Sequence, residues 1–195
     1  MHGRVEKELC LIVANKLRKK LEQLTPRPVL VTRVRDTFVA LDERVQKSLD
    51  EKGAAFISLH MNQVVDKRYQ DSQGIIVYSY GPRRDKARAY PFKKPRPMAA
   101  PPRGQRRSSA NFATFLTKVM RKAGFKTYDP AQQDYYVLKN PDMPSVLIEL
   151  GFLTHPDEGK RLADPIYQDR LVDALAHGIV DYLPTPKIQP VVASR

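Results

Sequence analysis

Tryptophan is absent from this 195-residue chain and cysteine occurs once. No apolar run approaches the roughly 18 residues that a membrane-spanning helix needs. The single cysteine, Cys10, excludes an internal disulfide. It lies among Leu9, Leu11 and Ile12 and reads as a buried, inert thiol. The first residues lack the basic start, apolar centre and small-residue cleavage site of a signal peptide. Acidic residues are few: 21 Asp and Glu face 34 Lys and Arg, a formal charge of +13. Such a balance favours polyanions, whether nucleic acid, anionic lipid or anionic cell-wall polymer. For nucleic acid, however, the chain carries no aromatic-stacking motif, zinc knuckle or recognition-helix pattern.

What is present is a hydrophobic fraction of 42%, enough for one domain with a real core. Leu9, Ile12, Val13, Leu17, Leu21 and Leu24 fall on one stripe and predict a helix over Val5–Leu24, ended by Pro26 and Pro28. Val29–Thr32 reads as a short strand. A second helix runs over Ala40–Glu51, with Leu41, Arg44, Val45 and Leu49 inward and Gly53 as its stop. Strands follow at Phe56–His60 and Gly74–Tyr80. From Gly81 to Arg107 the chain fills with Pro, Arg and Lys and reads as an extended surface insertion. A helix over Ser108–Ala123, capped by Ser108 or Ser109 and closed by Gly124, precedes an apolar strand at Val146–Leu150. A short helix opens at Pro156, and Ile166–Tyr182 is the last long one. Pro184, Pro186 and Pro190 mark a tail. Helices alternating with strands at short spacing predict an α/β fold, a mainly parallel twisted sheet with helices on both faces. For such a fold to open on a helix is abrupt, so a first strand is expected to be missing.

The chemistry concentrates at three residues. Glu149 is one carboxylate inside an otherwise apolar run, costly there unless it is paired, ligated or protonated. It reads either as an arginine's salt-bridge partner or as a general acid or base with a tuned pKa. His60 ends an apolar strand, a place where a structural histidine is the commoner reading. Glu6 opens the first helix, where the helix dipole alone favours a carboxylate. His155 reads as a loop or cap residue and His177 as packing or surface. Tyr135 and Tyr136 read as packing, with a cleft-lining role as the alternative.

Taken together, these blocks form a pattern. Glu6-Lys7 opens a helix; then come Thr32-Arg33-x-x-Asp36-x-Phe38-Val39-x-Leu41-x-x-Arg44 and Phe56-Ile57-Ser58-Leu59-His60-x-Asn62. Last come Val146-Leu147-Ile148-Glu149-Leu150-Gly151-Phe152-Leu153 and Pro156-x-Glu158. The pattern resembles the zinc-dependent N-acetylmuramoyl-L-alanine amidases, which hydrolyse bacterial cell-wall peptidoglycan, from about Val5 to Leu183 apart from the Pro/Arg-rich insertion.

The resemblance implies a domain over 1–183 and a tail over 184–195. It implies a Zn2+ site with Glu6 and His60 as ligands, and Glu149 as the group doing acid–base work. It implies peptidoglycan as substrate and a cell-envelope location, periplasmic or extracellular. No nucleic acid partner and no membrane span are expected, and a regulatory protein is left open. The family's first histidine, in a glycine-rich loop after the first strand, has no counterpart ahead of Glu6. His2, four residues before Glu6, is the one histidine near that position. Two rivals remain: an inactive homologue that binds peptidoglycan, and a basic nucleic-acid-binding protein. The apolar neighbours Ile148 and Leu150 are expected to raise the pKa of Glu149.

Overall fold

The structure is a computed structural model that describes residues 5–66, 71–82 and 97–183. Five helices and a four-stranded sheet make up the described chain. In order they are α1 (Glu6–Leu24), α2 (Leu41–Asp50), β1 (Phe56–Asn62), β2 (Ile76–Tyr80), α3 (Arg103–Lys122), β3 (Ala131–Gln133), a 3-10 turn (Tyr136–Leu138), β4 (Ser145–Phe152), α4 (Pro156–Ala163) and α5 (Pro165–Tyr182). The sheet order is β1-β4-β2-β3. β1 pairs with β4 and β2 with β3 in parallel, whereas β2 and β4 run antiparallel. The α/β expectation holds, with two of the three strand pairings parallel.

Alternation along β4 decides which side each residue takes. Val146, Ile148 and Leu150 join Leu9, Val13, Phe112, Leu116, Leu171 and Leu175 in the main core, under α1, α3 and α5. Leu147 faces the other way, into a smaller cluster with Phe56, Val137 and Met143, packed by Leu41 and Leu49 of α2. Helices therefore cover both faces. Glu149 lies on the second face by the same alternation. Ile148 and Leu150 accordingly point away from it, and its environment is not theirs, contrary to the expectation from sequence.

Four other expectations need correction. Val29–Thr32 forms no strand: the outer edge of β1 has no paired strand among the described residues. A cavity of about 550 Å³ separates the two segments, lined by Leu11 and Ala14 of α1, Val29–Thr32, Ala55–Leu59 and Ile179. β-branched residues need a pairing partner as well as propensity. The helix expected at Ser108 begins at Arg103, so Arg103–Arg107 belong to α3 and not to an insertion. Neither serine caps it: Pro102 precedes it without a side-chain cap, and the buried Ser109 hydroxyl accepts from Ser145 N–H at 3.0 Å. At the end of α2 the left-handed residue is Lys52 (φ 49°), ahead of Gly53. The rest of the expected insertion falls mainly on 83–96, and the tail on 184–195, both outside the described residues. No helix among the described residues is long and apolar enough to cross a membrane.

Candidate active site

Three strands bring His60, Glu149 and Ile76 abreast. His60 of β1 is in register with Glu149 of β4, and Ile76 of β2 opposes the same glutamate on its other side. The β1–β4 register then shifts between His60 and Asn62, where β4 carries one extra residue between Glu149 and Phe152. Leu153 N–H closes the far side by donating to Asn62 O at 2.9 Å.

Glu6 reaches this strand end from α1. Its Oε1 lies 3.1 Å from His60 Nδ1, and Met61 N–H donates to the same oxygen at 3.4 Å. The other ring nitrogen, Nε2, lies 3.1 Å from the Ser58 hydroxyl. A strap from the 33–36 segment holds the helix start in place. Arg33 donates to the Lys7 carbonyl, and Lys7 pairs with Asp36. That bond to Lys7 holds Asp36 below the usual carboxylate range, with Arg33 adding to the effect. The Thr-Arg-x-x-Asp block thus serves structure, fastening the turn that carries Glu6.

Glu149 is the electrostatic centre. Burial pushes its carboxyl from 4.5 up to about 7; His60 opposes the shift, and Glu6 adds to it as a like charge. Its Oε2 is buried without a hydrogen-bond partner among the described residues. A buried carboxylate oxygen with no donor is rare in folded proteins and points to something that the protein itself does not supply. Of the three groups, Glu6 and His60 are in direct contact and could offer a cation one oxygen and one nitrogen donor. Among the described residues no group of three His, Cys, Asp or Glu is placed to hold a metal ion. His2 lies outside the described residues.

Cys10 is one helical turn beyond Glu6 and buried, and desolvation with two nearby carboxylates drives its thiol pKa upward. It is inert in this setting, as its apolar neighbours indicated. His155 caps α4: its Nδ1 accepts from Asp157 and Glu158 N–H at 3.2 Å each. His177 is exposed on α5, with Nδ1 2.8 Å from the Asp173 carbonyl. His155 N–H also donates to the Phe152 carbonyl at 3.3 Å, so this histidine serves the turn from β4 into α4. Sequence reasoning missed Tyr78. It stands on the Glu149 face of the sheet, edge-on to Tyr135 at 5.6 Å between ring centroids. Burial, Tyr135 and Glu149 together raise its hydroxyl to about 12. The alternation of β2 could have revealed it.

Known proteins resemble this chain in sequence and in fold. The sequence profile of the N-acetylmuramoyl-L-alanine amidases matches residues 1–181. N-acetylmuramoyl-L-alanine amidase LytC of Bacillus subtilis is 30% identical over 181 residues, covering 93% of this chain but 32% of LytC. The uncharacterized protein YqiI of the same species is also 30% identical over 181 residues, covering 93% of this chain and 76% of YqiI. The probable cell wall amidase LytH of Staphylococcus epidermidis is 29% identical, and the match spans half of LytH. The solved structure of the amidase AmiC2 of Nostoc punctiforme superposes with a TM-score of 0.75 at 27% identity, over 93% of this chain and 86% of that one. A profile match over this much of the sequence leaves one conclusion: the chain belongs to the N-acetylmuramoyl-L-alanine amidase family.

Proposed function

We propose that this protein is a zinc-dependent peptidoglycan amidase of the cell envelope. It cleaves the amide between N-acetylmuramic acid and L-alanine. Glu6 and His60 hold the metal, and Glu149 moves the proton. The observation that carries this reading is the unpartnered, buried Oε2 of Glu149 in register with His60, whose Nδ1 meets Glu6.

Zinc, when bound, supplies Lewis acidity to the scissile carbonyl and acidifies the attacking water. Glu6 and His60 would hold the metal, and Ser58 orients the imidazole through its second nitrogen. Glu149 Oε2 takes the water proton as the oxygen attacks, then returns it to the departing amine of L-alanine. A carboxyl titrating at about 7 suits both halves of that exchange, because it neither holds nor releases the proton too firmly. Tyr78 and Tyr135 flank the approach to Glu149 from the β2 side.

The test is release of free L-alanine amino groups from purified peptidoglycan by the zinc-loaded protein. Glu149→Gln should abolish that release and leave zinc content unchanged; full cleavage by the variant overturns the catalytic assignment. One observation favours a second reading, an inactive homologue that binds peptidoglycan: Glu6 and His60 make only two donors among the described residues. Zinc near one per chain supports the enzyme, and peptidoglycan binding without zinc supports the rival.

A further inference from the structure

We propose that Glu158 is a positioning residue for Glu149, acting through the backbone of β4 and of the bend into β2. The proposal rests on the reading of Glu149 given above. Glu158 sits in the first turn of α4 and is 3% exposed. Burying a carboxylate is costly, and here the charge is answered by main-chain donors. Phe152 N–H donates to Oε2 at 2.7 Å. Gly74 N–H is shared between Oε1 at 2.9 Å and Oε2 at 3.0 Å.

One donor ends β4, and the other lies in the bend that leads into β2. Phe152 ends β4, three residues beyond Glu149. Gly74 lies two residues before Ile76, the β2 residue opposite Glu149. One carboxylate therefore grips both segments just past the reacting side chain. A helix staple alone would need no bond to Gly74, which is 84 positions away in sequence. Gly151 makes room for the grip: it adopts φ +149°, and a Cβ there would stand 2.8 Å from Glu158 Cδ. Gln at 158 would set an amide N–H₂ against a backbone N–H donor, and Asp would be one methylene too short to reach both segments.

The experiment compares wild type, Glu158→Gln and Glu158→Asp of the zinc-loaded full chain, well below the unfolding temperature. It reads kcat and KM for muropeptide cleavage, zinc content, and hydrogen exchange of the Phe152 and Gly74 amides. Both variants should lose roughly 10–100-fold in kcat, as small misplacements of a reacting group do. KM and zinc content should stay within about twofold, and both amides should exchange faster. A folded variant with wild-type kcat overturns the proposal, as does a loss explained by zinc release. If neither variant folds, Gly151→Ala decides, because it crowds the same carboxylate from the strand side. Wild-type kcat in that variant overturns the proposal; the same selective loss supports it. An inactive wild type overturns the amidase reading instead. Exchange then judges the grip alone, and Phe152 and Gly74 amides as fast in wild type as in the variant would end it.

Discussion

The two halves of the candidate site are built differently. Glu149 stands on β4, an interior strand paired to β1 on one side and to β2 on the other. His60 stands on β1, which among the described residues is paired on one side only and borders a cavity on the other. The side chains of His60 and Glu6 are 39% and 35% exposed. Their helix start is fastened by a strap of two exposed groups, Lys7 and Asp36, and the largely shielded Arg33. The proposed proton-moving group thus stands inside the sheet, and the proposed metal ligands stand at its edge. A metal bound there would link α1 to β1, so part of its binding energy would appear as stability of that edge.

The largest expected effect strikes the interior half. Glu149→Gln should cut cleavage by about 10²–10⁴-fold, the usual contribution of a positioned acid–base group. The same change should stabilise the metal-free protein at alkaline pH. The folded-state pKa of Glu149 is raised, from 4.5 to about 7. Its contribution to stability is therefore fully present below pH 4.5 and is lost as pH rises through 7. Converted at 1.36 kcal/mol per pKa unit, that loss is roughly 3 kcal/mol. Denaturant titrations should find the variant more stable than wild type at pH 8 and the two alike at pH 4. Equal stability at both values would show that Glu149 is not desolvated.

Next in size is His60→Ala, which strikes the edge half. Zinc affinity should fall by more than the roughly 10–100-fold that loss of a supporting partner costs. Equilibrium dialysis against a zinc buffer checks this. Wild-type zinc retention would place the metal elsewhere. Hydrogen exchange on wild type, with and without zinc, sharpens the contrast. Protection should rise in the first turns of α1 and in β1, and β4 should change little.

This division explains how much could be read from the chain. The Glu149 strand and the α1 stripe were legible because apolar periodicity records burial directly: Val146, Ile148 and Leu150 are fully buried, as are Leu9 and Val13. Val29–Thr32 misled because strand propensity says nothing about whether a pairing edge is within reach. The source of the Glu149 shift was misassigned to Ile148 and Leu150, since neighbours in sequence lie on opposite faces of a strand. Ser109 resembled a cap because serine serves equally well as a buried acceptor for a distant amide. Glu158 was visible as a motif position but not as a grip, because its partners lie on two segments that only folding brings together.

The smaller effects belong to the strap and test how the edge is held. Arg33 reaches the Lys7 carbonyl and is largely shielded from solvent, its side chain 14% exposed. Arg33→Ala should cost about 1–3 kcal/mol, the range for an acceptor left without its charged donor. It should also weaken zinc binding several-fold, because Glu6 sits one residue from the released carbonyl. Lys7→Ala removes an ion pair whose side chains are 57% and 55% exposed. Exposed pairs gain little against water and salt, so the melting temperature should move by no more than about 4 °C. If Lys7→Ala instead loosens zinc as much as Arg33→Ala does, the strap works through its exposed ion pair. The guanidinium bond to the helix backbone would then not be what sets the position of Glu6.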